Sequence, residues 1–208
     1  MPGFSLSLNS KPLLNVATDN LEILDVSVRG DLGNPGVSYI EVRGSGYAQD
    51  KSNSHLIWLH EKAMRSDDEL SVEFVDNVES PEVGKDSREL YNDDNASPTL
   101  SGAEGQGLEE PALSILGADS EPTLGQGNDP HARLHFKIDS SCNAPIEAHS
   151  KDEDSHLFFH VVWNWKNPVH AQVLLHTHTI DTIRNFKPGN EHANFTIPVG
   201  NKLKFRRW

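Results

Sequence analysis

Cysteine is nearly missing from this chain: Cys142 is the single one in 208 residues. An intrachain disulfide is therefore excluded, and the composition fits a reducing compartment. The neighbours of Cys142, SSCNAP, form no recognisable catalytic signature, so its expected role is that of a bystander. No apolar run approaches the ~20 residues needed to cross a bilayer as a helix. The opening MPGFSLSLNSKP lacks a basic start, a signal-length apolar stretch and a small-residue cleavage site. The expectation is a soluble, cytoplasmic protein with no membrane partner.

Catalytic motifs are equally sparse. The stretch GAEGQG at 102–107 lacks both the Lys-Ser/Thr and the preceding strand of a phosphate loop. No Gly-x-Ser-x-Gly elbow occurs, and His60-Glu61 is followed by Met64 where a zinc-protease helix requires histidine. His176-Thr-His178 has the His-x-His spacing of cupins, without the glutamate four or five positions on. These absences favour a noncatalytic protein.

Positive charge is also scarce, with 18 Lys and Arg against 31 Asp and Glu, a formal net charge of −13. Its distribution is uneven: −6 over residues 1–76, −9 over 77–133 and +2 over 134–208. Nucleic-acid phosphates would be repelled by such a body, save at the terminal KLKFRRW. Residues 78–132 are rich in Pro, Gly and acids and poor in large apolar side chains, as in SPTLSGAEGQGLEEP. Such a stretch buries too little to offset its chain entropy and reads as an acidic, disordered linker, with 108–116 as its one docking segment.

What is present is period-two alternation. Leu24, Val26 and Val28 share one strand face, as do Ile40 and Val42 after a turn at Asn34-Pro35-Gly36. A shift of 133 positions lays this stretch, 24–44, on 157–177. It sets Asn34-Pro35 on Asn167-Pro168, Leu24/Val26/Val28 on Leu157/Phe159/Val161, and Leu70 and Val72 on Leu203 and Phe205. Strands are also expected at 4–9, 55–59, 69–75, 133–139, 193–199 and 202–208, with a turn at Lys11-Pro12 and a helical turn at 61–65. The sequence thus predicts an all-β protein of two tandem, internally repeated antiparallel β-sandwich-like modules, 1–77 and 133–208, joined by the linker 78–132.

The second hairpin has the sharpest chemistry. With Asn167-Pro168 in the turn and Trp163 opposite Ala171, His156 falls opposite His178, Phe158 opposite His176 and His160 opposite Leu174. His156, His160, His176 and His178 are thereby candidate ligands for Zn or another transition metal, since cross-strand and i,i+2 neighbours share one face. The bland alternative is a wet face that happens to use histidine. In the last strand Lys202, Lys204 and Arg206 form a basic row, read as the guard of an edge strand or as the receiver of an acidic partner. The acids at 104–110 would be an intramolecular candidate. Trp165 and Trp208 complete the candidate contact residues.

The preferred function is a protein-binding or assembly factor, without cofactor, acting through the second module. The runner-up is a metal-binding protein or metalloenzyme using the His-rich hairpin, and a third reading is docking to another protein by strand addition.

Overall fold

In a computed structural model, the described residues are 2–31, 37–47, 53–87, 135–151, 154–185 and 187–207. Their alternating apolar rows become two antiparallel sheets. The first contains β1 (Gly3–Leu8), β2 (Lys11–Ala17), β6 (Glu69–Val75), β8 (His135–Ser140), β9 (Ile146–His149) and β13 (Asn201–Arg207), in the order β2-β1-β6-β13-β8-β9. The second contains β3 (Ile23–Asp31), β4 (Val37–Tyr47), β5 (Asn53–Arg65), β7 (Lys85–Asp86), β10 (His156–Asn164), β11 (His170–His178) and β12 (Asn190–Pro198), in the order β12-β11-β10-β3-β4-β5-β7. One short helix, α1 (Ile180–Arg184), follows β11.

Both sheets draw strands from both halves of the chain. At the centre of one, β6 pairs with β13, setting Leu70 against Phe205 and Val72 against Leu203. At the centre of the other, β3 pairs with β10, setting Val26 against Val161 and Val28 against Phe159. The inner rows of the two sheets merge into one core, in which Leu24, Val26, Val28, Ile40, Leu70, Phe74, Phe159, Val161 and Phe205 are fully buried. The Phe159 and Phe205 rings stack across the sheets with centroids 4.4 Å apart. The two stretches read as separate modules therefore share one sandwich. By this exchange β3, β6, β10 and β13 each gain their second hydrogen-bonding neighbour, and neither half leaves its innermost strand as an open edge.

Four expectations change. The basic row was read on an edge strand, yet β13 is central, between β6 and β8. Its charges are tolerated because β6 offers acids at the matching positions: Lys202 lies opposite Glu73 and Arg206 opposite Glu69. The Lys204 ammonium is 2.9 Å from the Glu69 carboxylate, which Arg206 also contacts. The helical turn expected at 61–65 is strand instead; β5 continues to Arg65 through a bulge in which Glu61 takes φ 48°. The first turn lies at Asn9 and Ser10, both at positive φ, and Lys11 already belongs to β2. Finally, the near end of the expected linker is not featureless, since Lys85–Asp86 pairs with β5. The Asn34-Pro35-Gly36 turn, the 108–116 segment and the acids at 104–110 lie outside the described residues.

A shared core makes the two halves thermodynamically inseparable. Replacing Phe159, fully buried against Phe205, by Ala is expected to cost about 3–5 kcal/mol. In urea the chain should unfold in one transition, coincident by tryptophan fluorescence and far-UV circular dichroism. Two separable transitions would contradict the single core.

Candidate functional site

The hairpin β10–β11 pairs in the register that its alternation predicts. His156 faces His178, Leu157 faces Thr177, Phe158 faces His176, His160 faces Leu174 and Trp163 faces Ala171. The inward row is nearly sealed, while the alternating outward row stays half-buried. Outward positions of a sandwich are ordinarily polar. Here Phe158, Val162 and Leu174 occupy them, and they floor a groove of about 490 Å³. That is the size range of small-ligand and side-chain pockets, ~300–1,000 Å³.

The side of the groove is supplied by α1 and the residues after it. Thr179 caps the helix, its hydroxyl accepting the Thr182 amide N–H at 3.1 Å. Asp181 sits in the first turn, where it complements the helix dipole, and Arg184 in the last. So anchored, α1 brings Thr182 and Ile183 to the groove, and Lys187 joins them, its ammonium 3.1 Å from the Asp181 carboxylate. Ile180 and Ile183 remain substantially exposed, extending the apolar surface.

Three imidazoles line the groove: His160, His176 and His178. The Nδ1 of His160 lies 3.1 Å from the Asp25 carboxylate on β3. His178 stands edge-on to the Phe158 ring, centroids 5.3 Å apart, with Nδ1 3.4 Å from the Thr182 hydroxyl. His176 is held below the usual histidine value of 6.5, chiefly by burial; Glu191 opposes this, and the nearby His178, His160 and His192 reinforce it.

These positions do not make a metal cage. Phe158 stands between His156 and His160, nearly parallel to both with centroids 6.4 Å from each. His176 and His178 are 6.3 Å apart by ring centroid. Among the described residues no group of three His, Cys, Asp or Glu side chains is placed to hold a metal ion. His156 instead meets the Ser155 hydroxyl at 2.8 Å through Nδ1. Phe158 thus keeps His156 and His160 apart.

A polar cluster underlies one end of the hairpin. A bulge in the β11–β12 ladder sets Leu175 opposite Ala193 but His176 opposite Glu191, leaving His192 as the extra residue. Bulges re-aim side chains, and His192 turns to Thr177. The buried Thr177 hydroxyl donates to Asp154 at 2.8 Å, so its lone pair accepts the Nε2–H of His192, also at 2.8 Å. Asp154 accepts in addition from Asn190 at 3.0 Å and from the Lys151 backbone N–H at 2.8 Å. With Thr177 sealed and every partner satisfied, the cluster braces β10–β11 rather than presenting a nucleophile. Burial lowers the His192 pKa, against the raising influence of Asp154.

The remaining candidates scatter. Trp165 is exposed beyond the end of β10, its backbone N–H donating to Glu22 O at 2.9 Å. The aromatic that caps the core is Trp163, whose Nε1–H donates to Pro168 O at 3.1 Å. Lys202, Lys204 and Arg206 sit on the outer face of the other sheet, away from the groove, and Trp208 lies outside the described residues. Val162, Leu174, Thr182, Ile183 and Lys187 escaped sequence reasoning. Two signals could have found them: apolar residues in a row otherwise polar, and a Thr179 cap with Asp181 in the following turn.

Among the described residues no helix is long and apolar enough to cross a membrane.

The depressed histidines have a measurable consequence. A histidine whose folded pKa lies below its unfolded value leaves stability intact above about pH 6.5 and withdraws it as pH falls through the folded value. Melting temperature should therefore begin to decline just below pH 6.5. The double variant His176→Gln/His192→Gln should flatten that first decline, whereas Glu69, held below 4.5 mainly by its hydrogen bond to Lys204, governs a second loss at lower pH. An unchanged profile in the double variant would refute the assignment. No known family, curated protein or solved structure matches this chain.

Proposed function

We propose that the protein is a noncatalytic protein-binding or assembly factor whose working surface is the groove on the outer face of β10–β11. The observation that carries this reading is the apolar floor of Phe158, Val162 and Leu174 on a face that a monomeric sandwich would leave polar. The groove offers no buried nucleophile and no metal-holding group among the described residues, which favours recognition over catalysis. The basic row of β13 is the weaker candidate, because Glu69 already engages Lys204 and Arg206.

A finer architectural reading supports specialisation of this face. The two halves are diverged copies of one sheet-forming unit, related by the 133-residue shift. Leu24 pairs with Trp163 and Gly30 with Leu157, so the central ladder repeats itself about the Ser27–His160 pair. The β6–β13 ladder does the same about Ser71–Lys204. Under that correspondence Leu174 answers to Glu41 and Val162 to Arg29. In the first half this patch is charged: the buried Glu41 carboxylate is 2.6 Å from Arg29 and 2.7 Å from Arg43. The fold accepts a polar patch there, so the apolar one reflects use.

The test is photo-crosslinking in cells with a benzophenone amino acid in place of Ile183, and in place of Lys202 as control. A discrete adduct from position 183, abolished by Leu174→Asp and absent from position 202, is expected. Equal labelling at both positions, or none at 183, would defeat the proposal.

A further inference from the structure

Among the described residues none of the groove's polar groups is an acid: besides its apolar floor it is lined by three imidazoles, one hydroxyl and one ammonium. Each nearby acid is already engaged: Asp25 with His160, Asp181 with Lys187, and Glu191 with the side-chain N–H of Asn194 at 3.0 Å. The surface that reaches an incoming ligand therefore consists of hydrogen-bond donors and groups able to become cations, around an apolar centre. That combination complements an apolar side chain flanked by negative charge.

Resting on the groove as the working surface, we infer that its occupant is an acidic peptide segment of a partner protein, with a large apolar anchor on Phe158, Val162 and Leu174. The anchor's flanking carboxylates meet His176 and His178, since Lys187 and His160 already face Asp181 and Asp25. Binding takes up protons, because a carboxylate beside a neutral imidazole favours the imidazolium. At His176, burial and the neighbouring His178, His160 and His192 oppose that charge in the free protein. An arriving anion offsets both.

The other groups facing these histidines set the limits of the effect. His176 faces Glu191 and His192 on β12 and His160 on β10. His178 faces Thr182 on α1 and lies in register with His156. His160 already faces Asp25 on β3. The coupling thus falls mainly on His176, and affinity rises as pH falls toward the histidine range.

The experiment titrates the full-length ¹⁵N-labelled protein with end-blocked peptides carrying a central Leu-Trp pair. In one the pair is flanked by Asp and Glu, in a second by Lys, and in a third the acidic flanks are kept with Gly-Ser at the centre. Amide shifts of Leu174, His176 and Ile183 report occupancy. The acidic anchored peptide should bind about tenfold more tightly at pH 6 than at pH 8, as expected for an average uptake of about half a proton over that range. The other two should bind at least about tenfold more weakly at pH 6. His176→Gln/His178→Gln should remove the pH dependence while its melting temperature at pH 8 shows it folded. Equal binding of acidic and basic anchored peptides would overturn the inference and leave the groove reading standing. Silence of the groove amides toward every peptide, with crosslinking at position 183 still specific, would likewise overturn the inference alone. Loss of crosslinking at 183 would remove the groove reading itself.

Discussion

The structure depends on the pairing of strands that stand far apart in the chain. A strand in the middle of a sheet needs a hydrogen-bonding neighbour on each side, and half of this chain cannot supply both for β3 and β6. Those neighbours are β10 and β13. Once the two ladders form, the inner rows of both sheets are forced into one layer. The stacking of Phe159 on Phe205 is then a contact between sheets within the second half, while Val28 against Phe159 joins the halves within a sheet. Such nonlocal pairing has a large loop-closure cost, repaid only when the whole core assembles.

With the innermost strand of each half paired to the other half in both sheets, the outer faces are free to differ. Glu41, almost wholly buried, is stabilised by two guanidiniums at hydrogen-bonding distance, an arrangement that satisfies the acid but offers little to a partner. The β10–β11 patch contains hydrophobic side chains and partly buried imidazoles instead. The Asp25–His160 contact bridges the two patches across the β3–β10 pair, tying the edge of the groove to the charged half. Local chemistry, imposed on a common scaffold, accounts for the contrast.

How much of this was legible in the sequence follows from which interactions are local. Burial of Leu24, Val26, Val28, Ile40, Val42, Leu70 and Val72 follows from period-two alternation, and all are sealed. The register of β10–β11 was readable because the Asn167-Pro168 turn fixes it and a slip by one residue would reverse every side chain. The pairing of β3 with β10 was not, since residues more than a hundred apart carry no local mark of partnership. For the same reason β13 resembled an edge: its lysines and arginine look unguarded until Glu69 and Glu73 are seen opposite them. Alternation places the histidines on one face, as the structure has them, but it does not say that Phe158 stands between His156 and His160.

Imidazoles are an unusual lining for an apolar patch, and their protonation state decides what the patch is. While neutral, His176 and His178 add area to the floor and donate or accept hydrogen bonds at their edges. Once charged they convert the same surface to a cationic rim around Phe158 and Leu174. Burial of His176 favours the first state, and the bulge that exposes Glu191 to it on β12 keeps the second within reach. A Lys or Arg in the same place would be charged at all physiological pH, and a Leu never. Histidine alone lets one groove be hydrophobic when empty and electrostatically selective when an acid arrives, and that balance is set by backbone geometry already fixed by the core beneath it.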